Sequence, residues 1–224
     1  MDTLTINRLA LLEFMNEGSS EAKGHHTAIT GLIGEPLAVG LILHYLRSNG
    51  FPAKFLSWKV TPGTKSGQRL DAWISDGAGT LYQTEIKMWA GNAIGGLRLK
   101  PDLPEHELAA RGVKQWQERI WNEKRGAFHS DNVGKVLKPM HVPKEGHGMR
   151  VKPLLCLWWL VQPSLQPCPK GWFTQKVSDG AFDEFAVFSL TRYLLSLSEE
   201  QLTLELPGLP QRLAWMNRIF VDLK

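Results

Sequence analysis

The stretch Leu81-Tyr-Gln-Thr-Glu85-Ile-Lys87-Met-Trp places an acid and a base two residues apart in a segment of strand-forming composition. Side chains alternate along a strand, so Glu85 and Lys87 project from one face while Ile86 turns to the opposite layer. The preceding candidate strand, Arg69-Leu-Asp71-Ala-Trp-Ile, carries a second carboxylate. With Ser75-Asp-Gly-Ala-Gly as the hairpin connection, Asp71 is expected to face Gln83, and Glu85 becomes its diagonal neighbour on the same face. Two carboxylates and a lysine then meet at one end of a hairpin. Mg²⁺, or Mn²⁺ in its place, takes hard oxygen ligands from one or two carboxylates, water and substrate phosphate. A lysine beside such an ion orients or helps deprotonate the attacking water and offsets charge in the transition state.

A third carboxylate belongs to the same pattern. Residues 25–48 read as one helix in which Ala28, Leu32, Val39, Ile42 and Leu46 form an apolar stripe, and Glu35 falls in the gap of that stripe. A carboxylate on that face needs a cation, a bound water or hydrogen-bond donors, because burying it unpaired is costly. Pro36 cannot donate to the carbonyl of Leu32, so the helix is expected to kink or restart there, with Gly34 easing the backbone.

The elements that position these residues follow in order. A short helix is expected over residues 5–16, and the long helix stops at Asn49-Gly50. Three strands are expected over Lys54–Val60, Arg69–Ile74 and Thr80–Trp89, with turn-forming residues 61–67 and 75–79 between them. Residues 105–124 return to helical spacing through Leu108, Gly112, Trp116 and Ile120, and a basic stretch containing Gly and Pro runs on to residue 152. Leu154–Val161 is a continuous apolar run, the mark of a central strand buried on both faces. A strand over Glu184–Leu190 and a helix over Leu209–Phe220 close the chain.

The totals exclude several classes. A chain of 224 residues that is 43% hydrophobic and 21% charged is an ordinary globular protein, not a disordered one. No stretch reaches the roughly 18 apolar residues of a membrane span, and no basic-then-apolar leader opens the chain, so a cytoplasmic protein with no membrane partner is expected. Cys156 and Cys168 match no metal spacing, and Cys156 lies in the apolar run as a core thiol. A net charge of +4 suits a polyanionic partner. Candidate phosphate contacts are Lys65 and Arg69 beside the second strand, then Lys138, Lys144 and Arg150 in the basic stretch, which also holds Lys135, Lys152, His141 and His147. For that stretch, an ordinary surface loop is the competing reading. His25-His26 read as exposed or capping residues, Trp158 and Trp159 as core, and Trp89 as a candidate for stacking on a base.

Glu35 on a helix, Asp71 and Glu85-x-Lys87 on a strand meander, a helix and a further strand together resemble the PD-(D/E)XK nuclease superfamily, over about residues 25–162. The resemblance implies an α/β fold: a restriction-endonuclease-like αβββαβ core with a mixed central sheet flanked by helices, extended by residues 5–16 and 163–224 within a single domain. It implies that Asp71, Glu85 and the main-chain carbonyl of Ile86 face a Mg²⁺ or Mn²⁺ ion, that Lys87 is the catalytic lysine, and that Glu35 is the helix glutamate. Leu70 stands where the name-giving motif has proline. Some exonuclease-like members place a glutamine on the following helix, a role open to Gln115 or Gln117. The activity implied is metal-dependent hydrolysis of DNA, within restriction, phage defence or repair. RNA stays open as a substrate, and so do a homodimer or larger complex as the working form. The alternatives are a nuclease-fold protein that only binds nucleic acid or a partner, and a structural subunit with Glu85–Lys87 as a surface pair.

Overall fold

A computed structural model describes residues 3–16, 23–60, 69–88, 102–166, 168–178 and 180–219. Lys65, Trp89, Phe220 and the turn 61–67 lie outside the described residues, as do the side chains of His25, His26 and Ala28.

The protein is a mixed α/β structure around a six-stranded sheet. Three strands form an antiparallel meander: β2 (Lys54–Val60), β3 (Leu70–Ser75) and β4 (Thr80–Lys87). The chain then crosses through α3 (Glu105–Gln115) to β7 (Arg150–Leu157), which lies parallel to β4. β9 (Glu184–Ser189) is parallel to β7, and β8 (Trp172–Lys176) closes the far edge antiparallel to β9. The spatial order is β2-β3-β4-β7-β9-β8. β7 is buried on both faces. Leu154 and Cys156 pack into one core and Leu155 and Leu157 into the other, as expected of a continuous apolar run.

That strand begins four residues earlier than its apolar run, passing through Pro153. A proline removes a ladder donor, which argues against a central strand. Here the loss is harmless. Trp158 donates to Lys87, so by alternation the even-numbered amides of β7 face β4 and Pro153 faces the other side, where pairing with β9 starts only at Leu154.

α2 (Lys23–Ser48) covers one face of the sheet. It continues through Pro36 as a single helix, so the restart offered as one expectation does not occur. Residues 36–43 are buried all round, so this helix is packed on two sides, not one. Its outer side meets a ribbon of β1 (Thr3–Asn7) and β10 (Gln201–Glu205), antiparallel to each other. Contact is close enough that a Cβ on Gly40 would lie 2.7 Å from the Glu205 carbonyl. The expected helix over 5–16 is therefore a strand followed by α1 (Arg8–Asn16), separated by Asn7, whose Oδ1 accepts the Ala10 amide at 2.9 Å.

On the opposite face, α3 continues into π-helical turns over Trp116–Ile120 and ends at a two-residue hairpin, β5 (Trp121–Asn122) with β6 (Ala127–Phe128). Trp116, Trp121, Phe173 and Phe185 pack together there. α4 (Asp131–Gly134) and short 3-10 turns carry the chain back to β7. α5 (Leu190–Ser196) and α6 (Leu209–Ile219) complete the described elements. No described helix is long and apolar enough to cross a membrane.

Candidate active site

The turn between β3 and β4 sets which residues face each other. Asp76 Oδ1 accepts the amides of Ala78 at 2.7 Å and Thr80 at 2.8 Å, and Gly77 and Gly79 take positive φ. Asp76 is thus held in the bracket of a three-residue loop, and Ser75 pairs with Leu81. Trp73 faces Gln83 and Ala72 faces Thr84, so the next step puts Asp71 level with Glu85. This corrects the expected diagonal: the two carboxylates stand directly across from each other. At that level the side chain replaces the ladder. Asp71 Oδ2 accepts the Ile86 amide at 2.7 Å. In a strand, the carbonyl of a residue points the same way as its amide, so the Ile86 carbonyl is also directed toward β3.

Glu85 is 1% exposed. Its Oε1 receives two ammonium groups, Lys87 Nζ at 2.6 Å and Lys135 Nζ at 2.9 Å, and its Oε2 is buried without a hydrogen-bond partner. Lys87 and Glu85 do share one face, as alternation requires, but they are no solvated surface pair. Lys135 also donates to the Arg69 carbonyl at 2.8 Å. Its segment is anchored by the fully buried Gln83, whose Nε2 donates to the carbonyls of Val136 at 2.6 Å and Lys138 at 2.9 Å.

α2 delivers Glu35 to the same end of the sheet. Gly34 packs on Met88, the residue after Lys87, so closely that any Cβ would overlap the Met88 sulfur. Glu35 and Asp71 line one cavity of about 380 Å³ with Trp58, Arg69, Leu70 and Arg212. Arg212 of α6 pairs with Glu35 Oε2 at 3.2 Å and donates to the Leu32 carbonyl at 2.5 Å, the acceptor that Pro36 leaves without its helical donor. Burial pushes the Asp71 carboxyl up to about 6, aided by the nearby charges of Glu85 and then Glu35, and opposed by the Ile86 amide and Lys135.

Other expected contacts lie elsewhere. Arg150 is level with Thr80, seven positions from the level of Lys87, or about 23 Å at strand rise. Lys144 is exposed on a turn whose Gly146 abuts Leu81, also toward that far end. Lys152 is paired with Glu184 at 2.6 Å, and Lys138, His141 and His147 are exposed. Gln115 is buried on α3 with its Oε1 unpartnered, and Gln117 is exposed. Arg69 reaches the cavity. Cys156, Trp158 and Trp159 are core residues.

No family model, curated protein or solved structure matches the chain. The chemistry of the site is therefore read from its own atoms.

Among the described residues there is no group of three or more His, Cys, Asp or Glu side chains arranged to hold a metal ion. A Mg²⁺ site asks for less: one or two carboxylates, with water and substrate phosphate for the remaining positions. The donors present fit that demand. Two opposed carboxylates and a strand carbonyl meet here, one carboxylate oxygen is buried without a partner, and burial, aided by Glu85, raises the other carboxyl to about 6.

Two residues of the site carried no signal strong enough to place them. Lys135 stood among several basic residues of one stretch, with nothing to single it out. Arg212 comes from a helix 177 positions after Glu35. Pro36 takes the helical donor from the Leu32 carbonyl, which in the sequence points to a kink or restart and not to Arg212.

Proposed function

We propose that this protein is a metal-dependent nuclease that hydrolyses DNA phosphodiester bonds, with a site of the PD-(D/E)XK kind. One observation carries the reading. Asp71 and Glu85 oppose each other at the C-terminal end of β4, beside the Ile86 amide and Lys87, with a buried Glu85 oxygen left free of protein partners. The element order supports it as well: a glutamate-bearing helix, a three-strand meander, a helix, and a strand returning parallel to the third. Carboxyl ends of parallel strands are where open α/β sheets bind ligands.

Asp71, Glu85 and the Ile86 carbonyl would hold the ion. Bound there, a divalent ion polarises the scissile phosphate and makes water a better nucleophile. Asp71 is anchored by the Ile86 amide, so its carboxylate is oriented before substrate arrives. Lys87 lies where its ammonium offsets charge developing on the phosphoryl oxygens. Water oxygen bonds to phosphorus and gives up a proton, one ester P–O bond breaks, and the leaving oxygen takes up a proton in exchange. Glu35 lines the Asp71 cavity and acts from the second rank, since Arg212 already holds it.

Incubating the purified protein with plasmid, linear and single-stranded DNA and with RNA, in Mg²⁺, Mn²⁺ or EDTA, tests the proposal. Cleavage with metal and none in EDTA is expected. Tight DNA binding without cleavage in any metal would move the protein to a binding role.

A further inference from the structure

Lys135 is the second ammonium on one buried carboxylate, and its position is built. Gln83 and Glu85 project from the same face of β4. Gln83 clamps the carbonyls of Val136 and Lys138, while Glu85 takes the ammonium of the residue just before them. The Lys135 side chain is 15% exposed, and its other bond is to the Arg69 carbonyl at the start of β3. Lys87 lies closer to Glu85, at 2.6 Å, and Asp71 stands across from Glu85, so two ammonium groups face two opposed carboxylates. The Lys135 ammonium thus stands where a divalent ion would meet the two carboxylates.

We infer that Lys135 is a resident counter-ion of the site. Its ammonium holds Glu85 while no divalent cation is bound, yields that carboxylate to the cation, and is then free to contact a substrate phosphate. The second half of this statement rests on the nuclease reading; the first half does not. The backbone of residues 136–138 stays clamped by Gln83, so the exchange needs only a side-chain rotation of Lys135. Arg69, whose carbonyl holds the same ammonium, lies on the cavity wall toward which the freed group would turn.

Mn²⁺ alone, titrated into the full chain and followed by the electron paramagnetic resonance of the free ion, reads the first half. A positive charge beside a cation ligand opposes cation binding, so Lys135→Gln should bind Mn²⁺ about tenfold tighter than wild type. Lys135→Arg, which keeps the charge, should stay within about twofold of wild type. A purely structural tether would give no such split by charge. Equal Mn²⁺ affinity in wild type and Lys135→Gln, or no Mn²⁺ binding in either, would overturn the inference.

A second measurement needs no substitution. Amine acetylation of wild type, read by mass spectrometry, should be faster at Lys135 in saturating Mn²⁺ than in EDTA, with exposed Lys138 unchanged. An unchanged or slower Lys135 would also overturn it. On cleaved DNA, Lys135→Gln should lower kcat while needing less metal for half-maximal rate; an unaltered kcat would overturn the phosphate contact. If wild type cleaves nothing, the nuclease reading fails, and the Mn²⁺ and acetylation results still decide whether Lys135 is the counter-ion.

Discussion

Asp71 is pulled two ways by its surroundings. Burial and the charges of Glu85 and Glu35 favour its protonated form, while the Ile86 amide and Lys135 favour the carboxylate, and the balance lies at about 6. An unfolded Asp titrates near 3.9. Between those values the folded chain binds more protons, so stability is highest below about pH 4 on account of this group and falls as pH rises through about 6. At about 1.4 kcal/mol per pKa unit, the loss is on the order of 2–3 kcal/mol. Urea denaturation in metal-free buffer should show that decline for wild type, and Asp71→Asn should remove it and be the more stable protein at pH 7. A wild-type profile that rises over the same window and is unchanged by Asp71→Asn would contradict the crowding of carboxylates. At this scale much was legible. Alternation alone puts Glu85 and Lys87 on one face. The level of Asp71 was misread by two residues because Ser75, assigned to the turn, continues the strand opposite Leu81, and the Asp76 amide closes a three-residue loop on the Thr80 carbonyl. Lys135 was illegible because a lysine on a loop has no periodicity to reveal where its long side chain ends.

α2 joins Glu35 to the sheet, and it does so with a proline in its interior. The proline leaves the Leu32 carbonyl without a helical donor, and Arg212 supplies one while also holding Glu35. Arg212→Ala should therefore destabilise the fold by about 1–3 kcal/mol, the cost of leaving a partly buried acceptor and carboxylate unpaired. Pro36→Ala restores an amide to that carbonyl, so the loss on Arg212→Ala should be smaller in the Pro36→Ala background. Chemical denaturation of the two single variants and the double variant measures this coupling; strict additivity would dissociate Arg212 from the proline. The same helix shows why elements differ in legibility. Its length, its stop at Asn49-Gly50 and the three strands after it are short-range patterns, and they are found where expected. β8 and α5 were not read, and neither were β1 and β10, each of which gains its identity as a strand from a partner far along the chain. β1 pairs with residues almost 200 positions away. Thr3–Asn7 alternates like a strand but is too short to outweigh the helical residues that follow it.

For the whole molecule, the candidate site lies at one end of the parallel triplet β4-β7-β9, and the basic residues divide between the two ends of the sheet. Arg69 is at the end that carries Asp71 and Glu85, while Arg150 is about 23 Å away along β7 and Lys144 is also toward that far end. Replacing Arg69 by Ala should reduce the salt dependence of DNA binding by about one phosphate contact, whereas Lys144→Ala and Arg150→Ala should leave the slope nearly unchanged. Binding measured across a salt series checks this, and a larger effect from Arg150 than from Arg69 would place the nucleic acid at the other end. Residues 163–219 likewise prove integral to the fold, since β9 and β8 complete the six-stranded sheet and α6 supplies Arg212. The most direct test of the site as a whole is the single-turnover rate of DNA cleavage in Mn²⁺ or Mg²⁺ for wild type and for Asp71→Ala, Glu85→Ala and Lys87→Ala, each checked for a native melting transition. Each substitution should slow cleavage by about a hundredfold or more, because each removes a ligand or a charge used in the transition state. Near-wild-type rates in any two of the three folded variants would contradict the assignment of this site.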